Sequence, residues 1–218
     1  MPAGRCCAKC KWVFKIKRSG VFRARLVACG CSQIPGVDLT DNYSPVVNDV
    51  TFRLLLLIWI YFKLTAKIVD VETAFLYGKL EEEIFMECPP GLKAGSKDKV
   101  LLLNQWIYGL VQADRQYYKH IVDILKKIGF KGGYVDPCLF SKKNELDICF
   151  IVLYVDNNLI IRHPKAVDDT IEQLKKHNLV LKVEDNLHDY LSCEIILSDN
   201  LTKVWLGQPY LISNLEKK

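Results

Sequence analysis

Apolar residues recur along the chain with the two periods that distinguish strands from helices. Two β-prone runs, 12–17 (WVFKIK) and 25–31, flank a short Arg-Ser-Gly turn, and this pattern predicts a hairpin. The segment 51–63 is apolar on nearly every side, so we predict a buried helix that Asn48 or Asp49 caps.

Two further apolar segments each carry an acidic residue at a strand end. The run 66–71 (AKIVDV) contains Asp70. A tight hairpin is predicted where 148–155 and 159–162 are separated by Asp-Asn-Asn, with Asp156 at its tip. The other predicted elements are strands over 100–103, 180–183, 190–196 and 204–206, a helical turn over 72–77, and helices over 113–128, over 165–177 and from Pro209 onward.

Strands and helices occur in runs without strict strand–helix–strand alternation, which favours an α+β fold. With 218 residues, 50% of them apolar, the chain can bury one core in one globular unit that can have two lobes. The longest apolar run, 54–62, is too short for a membrane-spanning helix, which needs about 20 residues. We therefore expect no transmembrane helix, no membrane partner and an intracellular location, cytoplasmic or nuclear.

Positive charge is concentrated at the start of the chain. The first 37 residues contain eight basic residues and no acidic one, although the formal net charge of the whole chain is only +5. Such a block is typical of a surface that meets a polyanion, either a nucleic acid or a nucleoside triphosphate. The alternative is a solvated hairpin whose basic residues bind nothing specific.

The nine cysteines follow no regular framework, so we expect reduced thiols rather than disulfides. Cys7 and Cys10 form a C-x-x-C pair. A zinc site needs four ligands, and the sequence contains no matching second pair and no histidine near one. We therefore do not predict zinc.

Asp70 and Asp156 stand at the ends of buried strands, where a carboxylate is costly unless it faces solvent or a cation. Mg²⁺ binds proteins through one or two carboxylates together with substrate phosphates, and two such ions about 3.5–4 Å apart support nucleotidyl transfer. Each acid alone also has a structural interpretation, because Asp-Asn is an ordinary turn pair and Asp70 can cap the turn that follows it. The two acids by themselves leave both interpretations open.

The order of these segments resembles the reverse transcriptase of copia-type retrotransposons over residues 11–218, after a lead-in over 1–10. The resemblance rests on the motifs WVFKIK, ARLVACGCSQIPGVD, YSPVV, FRLLL, DVETAFLYGKLEEEIFMECPPG, IYGLVQADRQYY, DPCLF, YVDN, YLSCEI and WLGQPYLI, which occur in the family's order and approximate spacing. It implies a fingers-and-palm fold of the α+β class, with an antiparallel palm sheet packed on helices. It also implies an RNA-directed DNA polymerase that uses two Mg²⁺ ions, an RNA or DNA template with a primer, and deoxynucleotide triphosphates.

The resemblance also implies roles for individual residues. Asp70 and Asp156 would be the catalytic carboxylates and would hold the metal ions together with the backbone carbonyl of Val71. The flat ring of Phe75 would lie under the incoming sugar and leave no room for a 2′-hydroxyl, although an isolated phenylalanine is more commonly a core residue. The remaining implied roles are contacts with the incoming nucleotide by Gln112 and Arg25, contacts with nucleic acid by Lys15, Lys17 and Arg23, and a primer-supporting turn over 190–192.

The sequence departs from the family pattern most seriously at the second hairpin, where the family reads YVDD and this chain has Asn157 after Asp156. Asparagine is nearly isosteric with aspartate, so folding should be little affected, but one negative charge beside two divalent cations is missing. A charge pair at 4 Å and an effective dielectric of 20 is worth roughly 4 kcal/mol. We therefore expect an impaired or inactive polymerase. Cys29 and Asp114 depart from the family's usual lysine and from its proline or small residue.

Two other functions stay open from the sequence: a non-catalytic nucleic-acid-binding remnant of a Pol polyprotein, and an inert folded relic. The chain begins close to the basic hairpin and stops at Lys218. We therefore expect no protease, integrase or ribonuclease H region and no segment that continues past the palm. The sequence specifies no oligomeric state.

Neutralising Lys15, Lys17, Arg23 and Arg25 together should weaken the binding of duplex nucleic acid. The logarithm of the affinity falls with the logarithm of salt concentration by about 0.9 per phosphate contact, so losing contacts should lower the affinity and make this dependence less steep. Titrations of the fourfold variant and the unaltered chain at several salt concentrations measure both quantities. An unchanged affinity and slope would show that the basic block is only a solvated surface.

Overall fold

A computed structural model describes residues 7–16, 20–34, 36, 42–77, 80, 83–92, 99–143, 147–185 and 187–216. The chain divides into two compact units. Unit 1 comprises Met1–Ser44 and Thr73–His120, and unit 2 comprises Pro45–Glu72 and Ile121–Lys218. Within the described ranges, no helix is both long enough and apolar enough to span a membrane.

The described residues form short strands, four helices and two 3-10 turns. The strands are β1 (Cys7–Ala8), β2 (Cys10–Ile16), β3 (Phe22–Ala28), β4 (Thr65–Val71), β5 (Phe85–Glu87), β6 (Val100–Leu102), β7 (Lys131–Gly132), β8 (Leu139–Lys143), β9 (Ile148–Tyr154), β10 (Asn157–Arg162), β11 (Leu181–Glu184), β12 (Asp189–Tyr190), β13 (Cys193–Leu197) and β14 (Val204–Gly207). The helices are α1 (Asp49–Tyr61), α2 (Ala113–Lys127), α3 (Pro164–Lys175) and α4 (Pro209–Glu216), and the 3-10 turns are Gly30–Ser32 and Ala74–Tyr77.

Unit 1 contains the predicted basic hairpin and a three-stranded sheet in the order β1-β5-β6. In the hairpin, β2 and β3 pair residue by residue from Cys10 opposite Ala28 to Ile16 opposite Phe22. The second strand therefore begins three residues before the predicted 25–31, because the apolar pair of Ile16 and Phe22 extends the ladder. Parts of the predicted lead-in also belong to the fold, since β1 pairs in parallel with β5.

The root of the hairpin is fixed to the loop that precedes α2. The Ala28 N–H donates to the Tyr108 carbonyl at 2.8 Å. Gly109 has φ +91°, and a Cβ there would lie 2.1 Å from the Ala28 carbonyl oxygen. A Cβ at Gly30 would lie 2.5 Å from the Gly109 carbonyl oxygen. Both positions therefore require glycine, because any side chain would push the two segments apart.

Unit 2 is built on a six-stranded antiparallel sheet in the order β11-β4-β10-β9-β8-β7. α1 and α3 contact the central strand β10, whose residues Leu159, Ile160 and Ile161 are fully buried. The sequence did not predict β8, because the polar residues in LFSKK interrupt its apolar pattern and the strand depends on pairing with β9. A second antiparallel sheet has the order β12-β13-β14.

The predicted cap of helix α1 is confirmed at Asn48, whose side chain accepts a hydrogen bond from the Val50 N–H at 2.9 Å. The helix itself begins at Asp49 and ends at Tyr61, two residues earlier at each end than predicted. The prediction that the helix is buried on nearly every side is wrong. Only one face is buried, and it consists of Phe52, Leu55 and Leu56. Apolar composition cannot identify the buried face, because that face depends on which side of the helix the sheet covers. The exposed apolar residues of α1 are Val50, Leu54, Leu57 and Tyr61.

The strand predicted over 190–196 is interrupted by a two-residue turn. Leu191 and Ser192 have φ +56° and +61°, and they join β12 to β13 where Tyr190 lies opposite Cys193. Hairpin turns with two left-handed residues match the twist of the strands but favour asparagine and glycine. Apolar alternation alone could not reveal this turn, because Leu-Ser is not a typical turn pair.

Asn158→Leu should stabilise unit 2. Asn158 is 4% exposed and lies between Val69 and Leu153 in the sheet. None of the residues that the structure describes donates a hydrogen bond to its Oδ1. Leucine has nearly the same shape and removes the cost of burying an unpaired amide oxygen, so the free energy of unfolding should rise by about 1–3 kcal/mol.

Urea unfolding of the Asn158 variants measures this change. The matched control is Asn158→Asp, which keeps the shape but adds a buried charge and should lower the free energy of unfolding. A loss of stability in the leucine variant would mean that the amide is paired in solution.

Candidate functional site

Strand register places four side chains in one row across the sheet of unit 2. Asp70 of β4 lies directly opposite Asn157 of β10 and, on its other side, opposite Lys182 of β11. Asn157 in turn lies opposite Tyr154 of β9. Because directly opposed residues of an antiparallel sheet share a face, the first predicted metal carboxylate and the altered position of the second hairpin are neighbours.

The second hairpin is present, but its turn is shorter than predicted. β9 continues to Tyr154 and β10 begins at Asn157, so the turn consists of Val155 and Asp156 rather than residues 156–158. The two asparagines lie in β10 because β4 and β9 pair with it on both sides. Asp156 is at the tip, as predicted. Val155 has φ +51°, a strained conformation for a β-branched residue, and such strain is concentrated at functional sites.

Two hydrogen bonds fix Asp156 within the site. Its carbonyl accepts from the Val71 N–H at 2.9 Å, which joins the hairpin tip to the end of β4. Its Oδ1 accepts from Asn157 Nδ2 at 3.4 Å. The end of β4 and the hairpin tip, which carry the two predicted carboxylates, therefore lie together in unit 2.

The electrostatics of Asp70 reflect this arrangement. Partial burial raises the pKa of Asp70 above its ordinary value, and the nearby Asp156 carboxylate raises this pKa further. The Lys182 amino group opposes both effects. A divalent cation between the two carboxylates would relieve their repulsion.

The donor atoms at this position suit a hard cation. Carboxylate and carbonyl oxygens are the ligands that Mg²⁺ prefers, and it usually takes one or two carboxylates and completes its shell with water and substrate phosphates. In the described part of the chain, His, Cys, Asp and Glu side chains form no group of three or more that could hold a metal ion. Cys7 and Cys10 therefore belong to no such group. Two carboxylates are within the number that such an ion usually takes from a protein, and the binding of an ion by Asp70, Asp156 and the Val71 carbonyl stays a prediction.

Lys182 is a site residue that the sequence analysis missed. Its amino group bonds to Glu184, and this bond, together with the charges of Glu184 and Asp70, raises the pKa of Lys182. The sequence predicted a strand at this place. The pairing of this strand, β11, with β4 joins segments that are far apart in the sequence, so no local pattern could predict it.

An open groove of about 280 Å³ lies beside Asn157 in unit 2. The predicted turn over 190–192 forms part of its wall, and the Tyr190 hydroxyl donates to the Asn157 carbonyl at 3.2 Å. The turn is therefore joined to the second hairpin. The residues that line the groove are Ile68, Tyr154, Asn157, Glu184, Asp189, Tyr190, Leu191 and Ser192.

In unit 1, Arg25 and Phe75 contact the same aromatic ring. The Arg25 guanidinium carbon lies 4.1 Å from the centre of the Tyr108 ring, and Nη2 donates to the Tyr108 hydroxyl oxygen at 3.3 Å. Phe75 is 6% exposed and meets Tyr108 edge to face, with ring centres 4.6 Å apart at 88°. It also packs against Tyr117 at 6.0 Å. This packing is compatible both with a core residue and with a steric gate. The role of Phe75 as a gate stays a prediction.

Gln112 is buried beside Gln33 in unit 1. Its Oε1 accepts from Gln33 Nε2 at 3.0 Å, and Gln33 Oε1 accepts from the Val111 N–H at 2.9 Å. Gln112 itself is 2% exposed. A contact between Gln112 and an incoming nucleotide stays a prediction.

The two faces of the basic hairpin differ in chemistry. Lys15 lies opposite Arg23, and Arg25 lies opposite Val13, so three predicted basic contacts share one face. The fourth, Lys17, lies outside the described residues. The other face is apolar and exposed, with Phe14 75% and Phe22 83% accessible. Alternation along paired strands therefore separates cations from aromatic rings.

The chain is similar to known proteins along nearly its whole length. A family model described as reverse transcriptase (RNA-dependent DNA polymerase) matches residues 1–217. The chain is 35% identical over 222 residues to the retrovirus-related Pol polyprotein from transposon TNT 1-94 of Nicotiana tabacum, covering 99% of this chain and 17% of that protein. It is 32% identical over 192 residues to the corresponding polyprotein from transposon RE1 of Arabidopsis thaliana, covering 85% and 13%.

A solved structure of a foamy viral protease–reverse transcriptase in complex with double-stranded DNA has a similar fold. The TM-score is 0.51 with 11% identity, covering 94% of this chain and 32% of that chain. At this identity the likeness concerns the fold, and it agrees with the predicted α+β fingers-and-palm class. The chain spans less than a fifth of the length of either plant polyprotein.

Asp70→Asn should raise the free energy of unfolding at neutral pH when divalent cations are absent. The folded-state pKa of Asp70 lies above its ordinary value of 3.8. Between these two values the folded protein binds more protons than the unfolded chain, so stability falls as the pH rises through this window. The asparagine variant removes this loss, and its advantage should shrink as the pH falls toward 3.8.

Urea unfolding with a chelator at several pH values measures this advantage. The matched control is Asp199→Asn, which changes an exposed acid in the turn before β14. An advantage of Asp70→Asn that does not vary with pH, or that the control reproduces, would contradict the interpretation.

Proposed function

The chain belongs to the family of copia-type reverse transcriptases, and we propose that it acts as the polymerase domain of a Pol polyprotein by a two-metal mechanism. By family it is an RNA-directed DNA polymerase. The observation that supports the proposal best is the joining of the hairpin tip to the end of β4, which brings Asp156 close to Asp70. We assign unit 2 to the palm and unit 1 to the fingers.

In this proposal Asp70, Asp156 and the Val71 carbonyl hold Mg²⁺. When bound, the two ions would activate the attacking primer hydroxyl and stabilise the leaving oxygen. Lys182 contributes a positive charge beside Asp70. The turn over 190–192 supports the primer along the groove beside Asn157.

The residues of unit 1 are assigned to substrate binding. Lys15, Lys17 and Arg23 bind the phosphate backbone of a primer–template, and Arg25 binds the triphosphate of the incoming deoxynucleotide. Phe75 excludes the 2′-hydroxyl of a ribonucleotide. Gln112 completes the nucleotide contacts, either directly or after leaving its hydrogen bond with Gln33.

Asn157 supports the proposal that this copy is impaired. It lies directly opposite Asp70, where the family has a second carboxylate, and its amide donates a hydrogen bond to Asp156. The site thus has one charge less, and the amide occupies an oxygen that a cation would use. The same observation favours a second candidate function, a non-catalytic nucleic-acid-binding remnant, which needs only the basic hairpin.

Asn157→Asp should raise polymerase activity by orders of magnitude, while its effect on stability in the presence of Mg²⁺ should be small by comparison. Asn157 is half-buried and lies directly opposite Asp70, so a carboxylate there adds repulsion when no cation is bound, and bound Mg²⁺ would offset this repulsion. Restoring even 3 kcal/mol of transition-state stabilisation corresponds to roughly a hundredfold in rate. Primer extension with Mg²⁺ on an RNA template measures the rate, and the double variant Asp70→Asn, Asn157→Asp is the matched inactive control.

Robust extension by the unaltered chain would show that Asn157 is tolerated. No extension by the Asp variant would move the explanation to Cys29, Asp114 or segments outside this chain. In that case, salt-dependent duplex binding would distinguish the nucleic-acid-binding remnant from the inert relic.

Phe75→Ala, made in the Asn157→Asp protein, should relax the discrimination against ribonucleotides. Removing the ring opens space beside the 2′-carbon, so the ratio of deoxynucleotide to ribonucleotide incorporation should fall by about tenfold or more. Phe75→Tyr is the matched control, because it keeps a ring and should keep the ratio. Unchanged sugar selectivity in a folded alanine variant would make Phe75 a core residue alone.

A further inference from the structure

Tyr108 joins two side chains that have separate assignments in nucleotide binding. Arg25 lies over its ring and bonds to its hydroxyl, whereas Phe75 meets the ring edge to face. Arginine is a flexible side chain with several rotatable bonds, so a partner that holds it in place reduces the entropy it loses on binding an anion. One ring is therefore shared by a guanidinium and by a candidate steric gate.

The backbone fixes Tyr108 independently of these contacts. Its carbonyl accepts the Ala28 N–H at 2.8 Å, and Gly109 packs against the Ala28 carbonyl with no room for a side chain. Arg25 lies three residues before Ala28 on the same strand, β3. Tyr108 and Arg25 thus keep a constant relation, because one junction holds both backbones.

Phe75 is held on its other side as well. It lies in the 3-10 turn Ala74–Tyr77, is almost fully buried, and packs against Tyr117 at 77°. The Tyr108 ring is only partly buried. A change at Tyr108 would therefore free both Arg25 and one side of Phe75.

We propose that Tyr108 is a positioning residue for nucleotide selection, which orients Arg25 toward the triphosphate and Phe75 toward the sugar. The inference rests on the proposed function, since it takes the nucleotide roles of Arg25 and Phe75 from there. In this proposal Tyr108 does not contact the nucleotide itself. It affects both the affinity for the triphosphate and the preference for deoxyribose over ribose.

The test measures equilibrium binding, so that no turnover is required. The Asn157→Asp protein is bound to a primer–template whose primer ends in a dideoxynucleotide, and the dissociation constants for dATP and ATP are measured with Mg²⁺. The variants, made in that protein, are Arg25→Ala, Tyr108→Leu, the double variant and Tyr108→Phe. Circular dichroism and thermal unfolding report whether each variant is folded.

The expected results separate the effect of Tyr108 on triphosphate affinity, through Arg25, from its effect on sugar preference, through Phe75. Arg25→Ala weakens both triphosphates equally and leaves their ratio unchanged. Tyr108→Leu weakens dATP by about tenfold, which corresponds to about 1.4 kcal/mol, and also lowers the preference for dATP over ATP. The double variant should bind dATP about as tightly as the single variant that has the lower affinity. The two losses do not add, because both changes remove the same oriented guanidinium. Tyr108→Phe keeps the ring, so it should keep the sugar preference and lose about threefold or more in affinity.

Additive effects of Arg25→Ala and Tyr108→Leu, or an unchanged sugar preference in Tyr108→Leu, would overturn the proposal. If Tyr108→Leu fails to fold, Tyr108→Phe decides, and an unchanged affinity in that variant overturns the proposal. If the reference protein with Tyr108 intact binds no triphosphate, the proposed function fails first and this inference fails with it.

Discussion

The pairing of β4 with β10 is the constraint on which the candidate chemistry depends. Side chains alternate between the faces of a sheet, so a shift of one residue would turn Asp70 away from Asn157 and Lys182. The register is held by apolar pairs such as Leu159 opposite Ile68, which are buried in the centre of the sheet. The position of Asp70 opposite Asn157 and Lys182 is therefore a consequence of core packing, whereas Asp156 is held by its own hydrogen bonds to Val71 and Asn157.

The spacing of apolar residues along the sequence predicted those helices and strands in which that spacing is regular. It located the strand that carries Asp70, the helix capped by Asn48 and the hairpin with Asp156 at its tip. It misplaced the turn of that hairpin, because two asparagines favour a turn locally whereas pairing with strands on both sides keeps them in β10. Lys182 could not be assigned to the site, since its position opposite Asp70 depends on residues more than a hundred positions apart.

The candidate substrate residues of unit 1 show a different limit. Motifs in the sequence supplied hypotheses for Arg25 and Phe75, but a neutral tyrosine in IYGL carries no chemical signal of its own. Its importance follows from the close approach of Gly109 to Ala28, which fixes the tyrosine beside β3. Such close approaches depend on the absence of a side chain, and only the structure reveals which segment fills the space.

The junction of Ala28 with Tyr108 and Gly109 holds the basic hairpin at one end of β3. β3 contains seven residues, so its far end at Phe22 lies six residue steps, or about 20 Å, from the fixed point at Ala28. A tilt of about 10° at that point would move Phe22 by about 3.5 Å, more than the length of a hydrogen bond. A rotation at this glycine-lined junction would thus move the far end of β3 much more than it moves Arg25, which lies closer to the fixed point.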